Sequence, residues 1–173
     1  MTTSTDKQPR QPWMHDMNVL AYAPAQLWAG QNGEIDGSAD HAGSPSIAGY
    51  YVGDTRIISD IVFSLNGEAP VQVAWRQTGK GRSLSSRIAR NIVGPTVDPC
   101  ICCEEERTAT PDGLALAVTL RNSNAEDIRL DCSMTFRMDM STMQEIKGGC
   151  PSSAKAEGRI DLALDGNDGY EAT

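Results

Sequence analysis

The chain has 173 residues, enough for one domain that buries its own core without metal or disulfide staples. Its formal net charge of −8 repels phosphate backbones and anionic lipid surfaces, so neither nucleic acid nor membrane is expected as a partner. Aromatic residues are only 5 % of the composition, so the core has to be built from aliphatic side chains.

No apolar run approaches the ~20 residues that a membrane helix needs. The opening MTTSTDKQPRQPWMHDM lacks the apolar stretch of a signal peptide, which points to the cytoplasm. Five cysteines, an odd number in such a compartment, argue for free thiols rather than a disulfide framework. Residues 1–17 read as a polar tail and residues 18–173 as a single domain.

Ordered structure is expected from Asn18, with Val19 to Ala23 apolar and Trp28 to Gly33 a short strand entering a turn. Gly37 to Ser46 is small and polar and reads as a loop. Thr55 to Leu65 is the clearest strand, with Ile57, Ile61, Phe63 and Leu65 on one face and Arg56, Ile58, Asp60, Val62 and Ser64 on the other. Asn66-Gly67 follows as a hairpin signal, with Val71 to Gln77 as the return strand.

Leu84 to Val93 and Ile101 to Thr108 are further strand candidates, the second closed by the turn Thr110-Pro111-Asp112-Gly113. Leu114, Leu116, Val118 and Leu120 alternate with polar or small residues, as do Ile128, Leu130, Cys132, Met134 and Phe136. These two runs, joined at Asn122-Ser123-Asn124-Ala125, read as a hairpin. Met138 to Ser153 shows little regular pattern and is expected as loop. Arg159 to Leu164 reads as a strand, Asp165 to Gly169 as a turn, and Tyr170 to Thr173 as the opening of a return strand. That last reading implies a polypeptide that continues beyond Thr173. The sum is an all-β, antiparallel β-sandwich.

Several stretches resemble a known family. Gly49-Tyr50-Tyr51-Val52-Gly53-Asp54-Thr55-Arg56-Ile57-Ile58-Ser59, then Leu65-Asn66-Gly67, resembles the GLY-x-x-DTR-x-L-S … L-x-x-NG stretch of N-terminal domains in bacterial glycogen-debranching proteins of the amylo-α-1,6-glucosidase type. Leu27 to Ile35 and Leu120-Arg121-Asn122 fall where that family has an apolar strand with a G-(D/E)-I turn and an L-x-N motif. Phe136 to Met140 with Glu145-Ile146-Lys147-Gly148 resembles its DFADxFEVRG, although Arg137 stands at the position of the first aspartate. The resemblance runs from Asn18 to Thr173. It implies a β-sandwich module ahead of an (α/α)₆ barrel that holds the paired acids for α-1,6 hydrolysis. The implied partners are that C-terminal helical catalytic domain of the same polypeptide and an α-glucan, in cytoplasmic glucan metabolism. No cofactor is implied.

Four residues stand out as candidates for contact with substrate or a partner domain: Tyr50, Tyr51, Asp54 and Arg56. Tyr50 and Tyr51 could stack on sugar rings, although buried aromatics more often serve the core. Asp54 could instead anchor the turn through its side chain, and Arg56 could meet a carboxylate. Glu104 and Glu106 share a strand face, as a glycosidase pair would, yet such charges more often form a solvated face. Cys100, Cys102 and Cys103 have C-x-C-C spacing, which a strand splits between two faces, so no metal site is expected. No nucleophile–base motif is present, and no catalytic residue is assigned. A stand-alone carbohydrate-binding module and a purely structural interaction domain are the competing readings. Elemental analysis of the purified protein is expected to find no stoichiometric zinc, and a chelator is expected to leave its melting temperature unchanged.

Overall fold

The computed structural model describes residues 17–31, 33–37, 40–41, 44–89, 101–110, 112–150 and 156–164, with backbone alone at 40–41, 44–45 and 159–164. The elements in chain order are β1 (Asn18–Tyr22), β2 (Ala25–Ala29), β3 (Ile35–Asp36), β4 (Asp40–His41), β5 (Ser44–Pro45), β6 (Gly49–Val52), β7 (Thr55–Ile58) and β8 (Asp60–Leu65). They continue with β9 (Val71–Gly79), β10 (Arg82–Ala89), β11 (Ile101–Thr110), β12 (Gly113–Asn122), β13 (Leu130–Met138), α1 (Met143–Lys147) and β14 (Ala156–Leu164). The expected tail, the strand residues 90–93, Cys100, and the turn and return strand after Leu164 lie outside the described residues.

Three four-stranded antiparallel sheets form an all-β sandwich. Their orders are β1-β2-β6-β7, β12-β11-β10-β9 and β14-β13-β8-β3, with β4 and β5 a separate two-residue ladder in the segment expected as loop. The long-strand sheet β9–β12 supplies one layer. The inward faces of the other two sheets pack on it through two apolar clusters. One gathers Leu20, Leu27, Ile35, Tyr50 and Ile61, with Trp75, Leu114 and Leu116 from the opposite layer. The other gathers Phe63, Leu65, Leu130 and Cys132 against Ala89, Ile101, Cys103, Val118 and Leu120. Every residue expected to face inward belongs to one of these clusters. Ile61, Phe63, Leu65, Leu130 and Cys132 are buried in them, and Ile57, Leu114, Leu116, Val118, Leu120, Ile128, Met134 and Phe136 pack partly buried against them.

The strand partners differ from expectation in three places, and each difference has the same cause: alternation reports which face is buried, not which strand lies alongside. The run 55–65 is two strands rather than one. Ser59 interrupts it, donating its backbone N–H to the Arg137 carbonyl at 2.7 Å and accepting from Gly37 N–H at 2.8 Å, and the chain passes from the first sheet into the third. Within β7 a register irregularity leaves Ile57 as an extra residue, so Ile57 and Ile58 both reach the core instead of opposing one another.

Asn66-Gly67 does turn the chain, with positive φ at both residues (51° and 81°). The strand that follows, however, leaves β8 and pairs with β10 in the opposite layer. Likewise β12 and β13 are not a hairpin: β12 pairs with β11, and β13 pairs with β8 and β14. Their apolar faces meet across the sandwich core. The expected strand at 159–164 is present as part of β14, paired Leu130↔Leu164 through Met138↔Ala156.

The stretch expected as loop after Met138 holds a short helix. Thr142 and Glu145 form a reciprocal capping box around its first turn, with Glu145 N–H donating to Thr142 Oγ1 at 3.2 Å and Thr142 N–H donating to Glu145 Oε2 at 2.7 Å. Ile146 is its buried residue.

Phe63 and Val62 are neighbours on β8 with opposite exposure, 3 % and 44 %. Phe63→Ala is expected to cost roughly 3–5 kcal/mol, whereas Val62→Ala should stay within about 0.5 kcal/mol; urea denaturation midpoints of the two variants check the assignment of faces.

Candidate functional site

Arg56 lies on β7 opposite Tyr51 on β6, and Tyr51 lies opposite Gln26 on β2. That row is on the far side of the first sheet from the sandwich core. Both residues are nonetheless buried, because the segment after β13 and the loop before β6 cover them. Asp139, at the end of β13, completes the arrangement. Arg56 Nε sits 3.1 Å from each carboxylate oxygen of Asp139, and Nη2 donates to Oδ2. The other terminal nitrogen, Nη1, donates to the carbonyls of Ser46 at 2.8 Å and Ala48 at 3.0 Å. The side chains are 2 % and 5 % exposed, so this is a fully desolvated ion pair.

Small residues make the space. A Cβ on Gly49, where φ is +145°, would stand 2.5 Å from Arg56 Cδ, and one on Gly37 would stand 2.7 Å from Nη1. The guanidinium stem therefore threads between two glycines that cannot be enlarged without moving it. Backbone bonds lock the surroundings. Arg56 N–H donates to the Ser141 carbonyl at 2.7 Å, Met143 N–H to the Asp54 carbonyl at 2.9 Å, and Ser141 N–H to Asp139 Oδ1 at 3.3 Å. Tyr51 donates its hydroxyl to the Ile47 carbonyl at 2.8 Å. Burial pushes that hydroxyl up to about 12, against the opposing pull of the nearby Arg56 charge.

The four sequence candidates thus have different fates. Arg56 meets a carboxylate, as its structural reading expects. Tyr50 and Tyr51 are both buried, one in the core and one under the covering segment, and offer no open ring face for a sugar. Asp54 is exposed at the β6–β7 turn beside Gly53 (φ 62°), and the turn is held by its backbone carbonyl. Its side chain makes no hydrogen bond among the described residues, which corrects the expectation that the carboxylate would anchor the turn. Glu104 and Glu106 lie on the outward face of β11, where Arg121 (3.7 Å) and Arg82 pair with them.

A second buried charge cluster escaped the sequence reading. Glu105 and Arg107 are each 1 % exposed on the inward face of β11. Glu105 receives Arg107 on one oxygen and Arg87 of β10, at 3.1 Å, on the other, while Arg107 also donates to the Gly33 carbonyl. Burial lowers the pKa of Arg107, and Glu105 resists the shift. The signal was available: Ile101, Cys103, Glu105, Arg107 and Ala109 alternate, so the side of β11 that buries Ile101 must also bury Glu105.

No group of three metal-ligating side chains converges among the described residues. Cys102, Cys103, Cys132 and Cys150 are free thiols, with Cys103 and Cys132 buried in the second apolar cluster. Burial, reinforced by Glu105, pushes the Cys103 thiol up to about 12. Among the described residues no helix is long and apolar enough to cross a membrane.

Of the two charged residues in the Asp54-Thr55-Arg56 motif, Arg56 is spent on an internal ion pair and Asp54 stands exposed at the surface. Residues 20–171 match the family described as the N-terminal domain of some glycogen debranching enzymes, and the chain belongs to that family. No curated protein and no solved structure matches it.

Asp139→Asn leaves the Arg56 charge buried without its counter-ion and is expected to destabilise the fold by roughly 3–5 kcal/mol, read from urea denaturation. Asp139→Leu combined with Arg56→Leu is expected to recover part of that loss. The raised Tyr51 hydroxyl means that the unfolded chain releases this proton first as pH climbs. Its contribution is intact below pH 10 and is lost as pH rises from 10 towards about 12. Tyr51→Phe should flatten the stability-versus-pH slope in that window.

Proposed function

We propose that this chain is a non-catalytic accessory module of a cytoplasmic glycogen-debranching glycoside hydrolase. In this reading residues 18–173 pack on a helical catalytic domain of the same polypeptide and shape one wall of the cleft that receives the α-glucan. The family match across residues 20–171 carries the reading. The geometry supports it in two ways. Glu104 and Glu106 are held by arginines on an open strand face and not poised across a cleft. The β6–β7 turn is fixed from both sides, Gly53 N–H donating to the Pro24 carbonyl at 2.9 Å and the Asp54 carbonyl accepting from Met143, with the Asp54 carboxylate facing out. Asp54 is then the contact residue, and the Arg56 backbone bond to the Ser141 carbonyl anchors the strand that follows it.

The chain alone is expected not to hydrolyse panose or limit dextrin. In the polypeptide encoded by the full reading frame, Asp54→Arg is expected to raise KM for branched glucan several-fold with kcat nearly unchanged, as a loss of binding does (several-fold is about 1 kcal/mol). Turnover by the isolated chain that vanishes in Glu104→Gln or Glu106→Gln would defeat the proposal. Tight, saturable binding of maltooligosaccharides by the isolated chain would replace it with a carbohydrate-binding module.

A further inference from the structure

The inward face at the β9 edge of the long-strand sheet carries a block of unpaired donors. Gln72 lies opposite Arg87, and Trp75 opposite Ser85. The nitrogens Gln72 Nε2, Trp75 Nε1 and Arg87 Nε, and the hydroxyl Ser85 Oγ, are all buried without a hydrogen-bond partner. Each such group costs about 1–3 kcal/mol if nothing satisfies it. Here they sit side by side on two paired strands rather than scattered through the fold.

The backbone is arranged to bring them together. Residues three apart on a regular strand face opposite sides. Between Gln72 and Ala74, however, β9 advances two residues while β10 advances one, from Arg87 to Ser86. Val73 is the extra residue, 57 % exposed and turned outward. This β-bulge aims Gln72 and Trp75 at the same inward face, and re-aiming side chains is a recurrent use of bulges near binding sites. Gln72 and Trp75 are partly exposed residues of the edge strand, so the buried block lies one side chain deep from that edge, with Gly33 packed against the Trp75 indole.

The chemistry of the block selects its occupant. The three nitrogens can only donate, and Ser85 Oγ and the Gln72 amide oxygen are its possible acceptors. One water accepts at most two of these donors, whereas an oxyanion brings acceptors alone and can receive all three nitrogens together. Charge agrees. Arg87 and Arg107 share the single Glu105 carboxylate, and Glu34 acts on Arg107, which leaves Arg87 the under-neutralised cation beside the unpaired donors. We infer that Gln72, Trp75, Ser85 and Arg87 form a binding site for a small oxyanion of phosphate or carboxylate type, entering at the β9 edge.

The test is a titration of the ¹⁵N-labelled chain, following the indole N–H resonance assigned as Trp75 by its loss in Trp75→Phe. Sodium phosphate, sodium acetate and ionic-strength-matched sodium chloride are compared. A saturable downfield shift with phosphate identifies a phosphate-type site, and one with acetate a carboxylate-type site. Ser85→Ala and Gln72→Leu are expected to weaken that binding by about tenfold or more, the worth of one hydrogen bond to a charged group. Gln72→Leu lies at the half-buried edge and serves if Ser85→Ala does not fold. A response to both anions no different from chloride overturns the inference in favour of ordered water, and a saturable shift that survives both substitutions places the anion elsewhere and overturns it equally.

Discussion

The buried pairing of Arg56 with Asp139 is the constraint on which the first sheet and everything outside it depend. A guanidinium at 2 % exposure has lost its hydration and must find a fixed acceptor for nearly every donor. Those acceptors come from two separate stretches: the carboxylate after β13 and the carbonyls of Ser46 and Ala48 before β6. One side chain thus ties together segments separated by 83 residues in sequence. Replacing such a pair with matched apolar groups can be neutral or even stabilising, so its presence argues less for raw stability than for a single arrangement. Any other placement of the covering segment would leave a charge buried and alone.

That dependence explains which parts of the fold were legible in the sequence. The faces of β8, β12 and β13 follow from period-2 alternation, and their inward apolar residues all reach the core. Pairing partners do not follow, because a buried face is satisfied equally by a neighbour alongside and by a layer opposite. Leu114–Leu120 and Ile128–Phe136 meet across the core and not edge to edge for that reason. The requirement that Arg56 find a carboxylate was readable from its type and setting. Asp139 as that carboxylate was not, since no local pattern links positions so far apart. The helix at Met143–Lys147 is a different case. Its Thr142/Glu145 capping box is written in the sequence, but five residues are too few to show an apolar period.

A second polar network divides the core that the first one flanks. Arg87, Glu105 and Arg107 lie on the inward face of the long-strand sheet, whose apolar residues are shared between the two separate clusters. Cys103 lies two residues before Glu105 on the same strand face, so the carboxylate adds to the burial that raises its thiol, while Arg87, directly opposite in the β10–β11 register, pulls the other way. An acidic run such as Glu104-Glu105-Glu106 invites reading as one solvated patch. Its middle member is instead among the most deeply buried groups in the chain, because strand geometry sends alternate residues to opposite environments.

The two networks bear differently on a docking role. The core network acts within the sandwich, while the Arg56–Asp139 network acts on its outer side and ends at a surface turn. Gly53 and Asp54 are restrained by backbone bonds to Pro24 and Met143, from the β1–β2 turn on one side and the capped helix on the other. Association loses free energy whenever flexible loops must be ordered at the interface, and a turn already fixed in this way loses little. A partner surface that met the Asp54 carboxylate would find it presented on a rigid support, with the ordering already done by the fold of the module itself. Arg56, buried and out of reach of any partner, would govern such a contact only through the turn it holds.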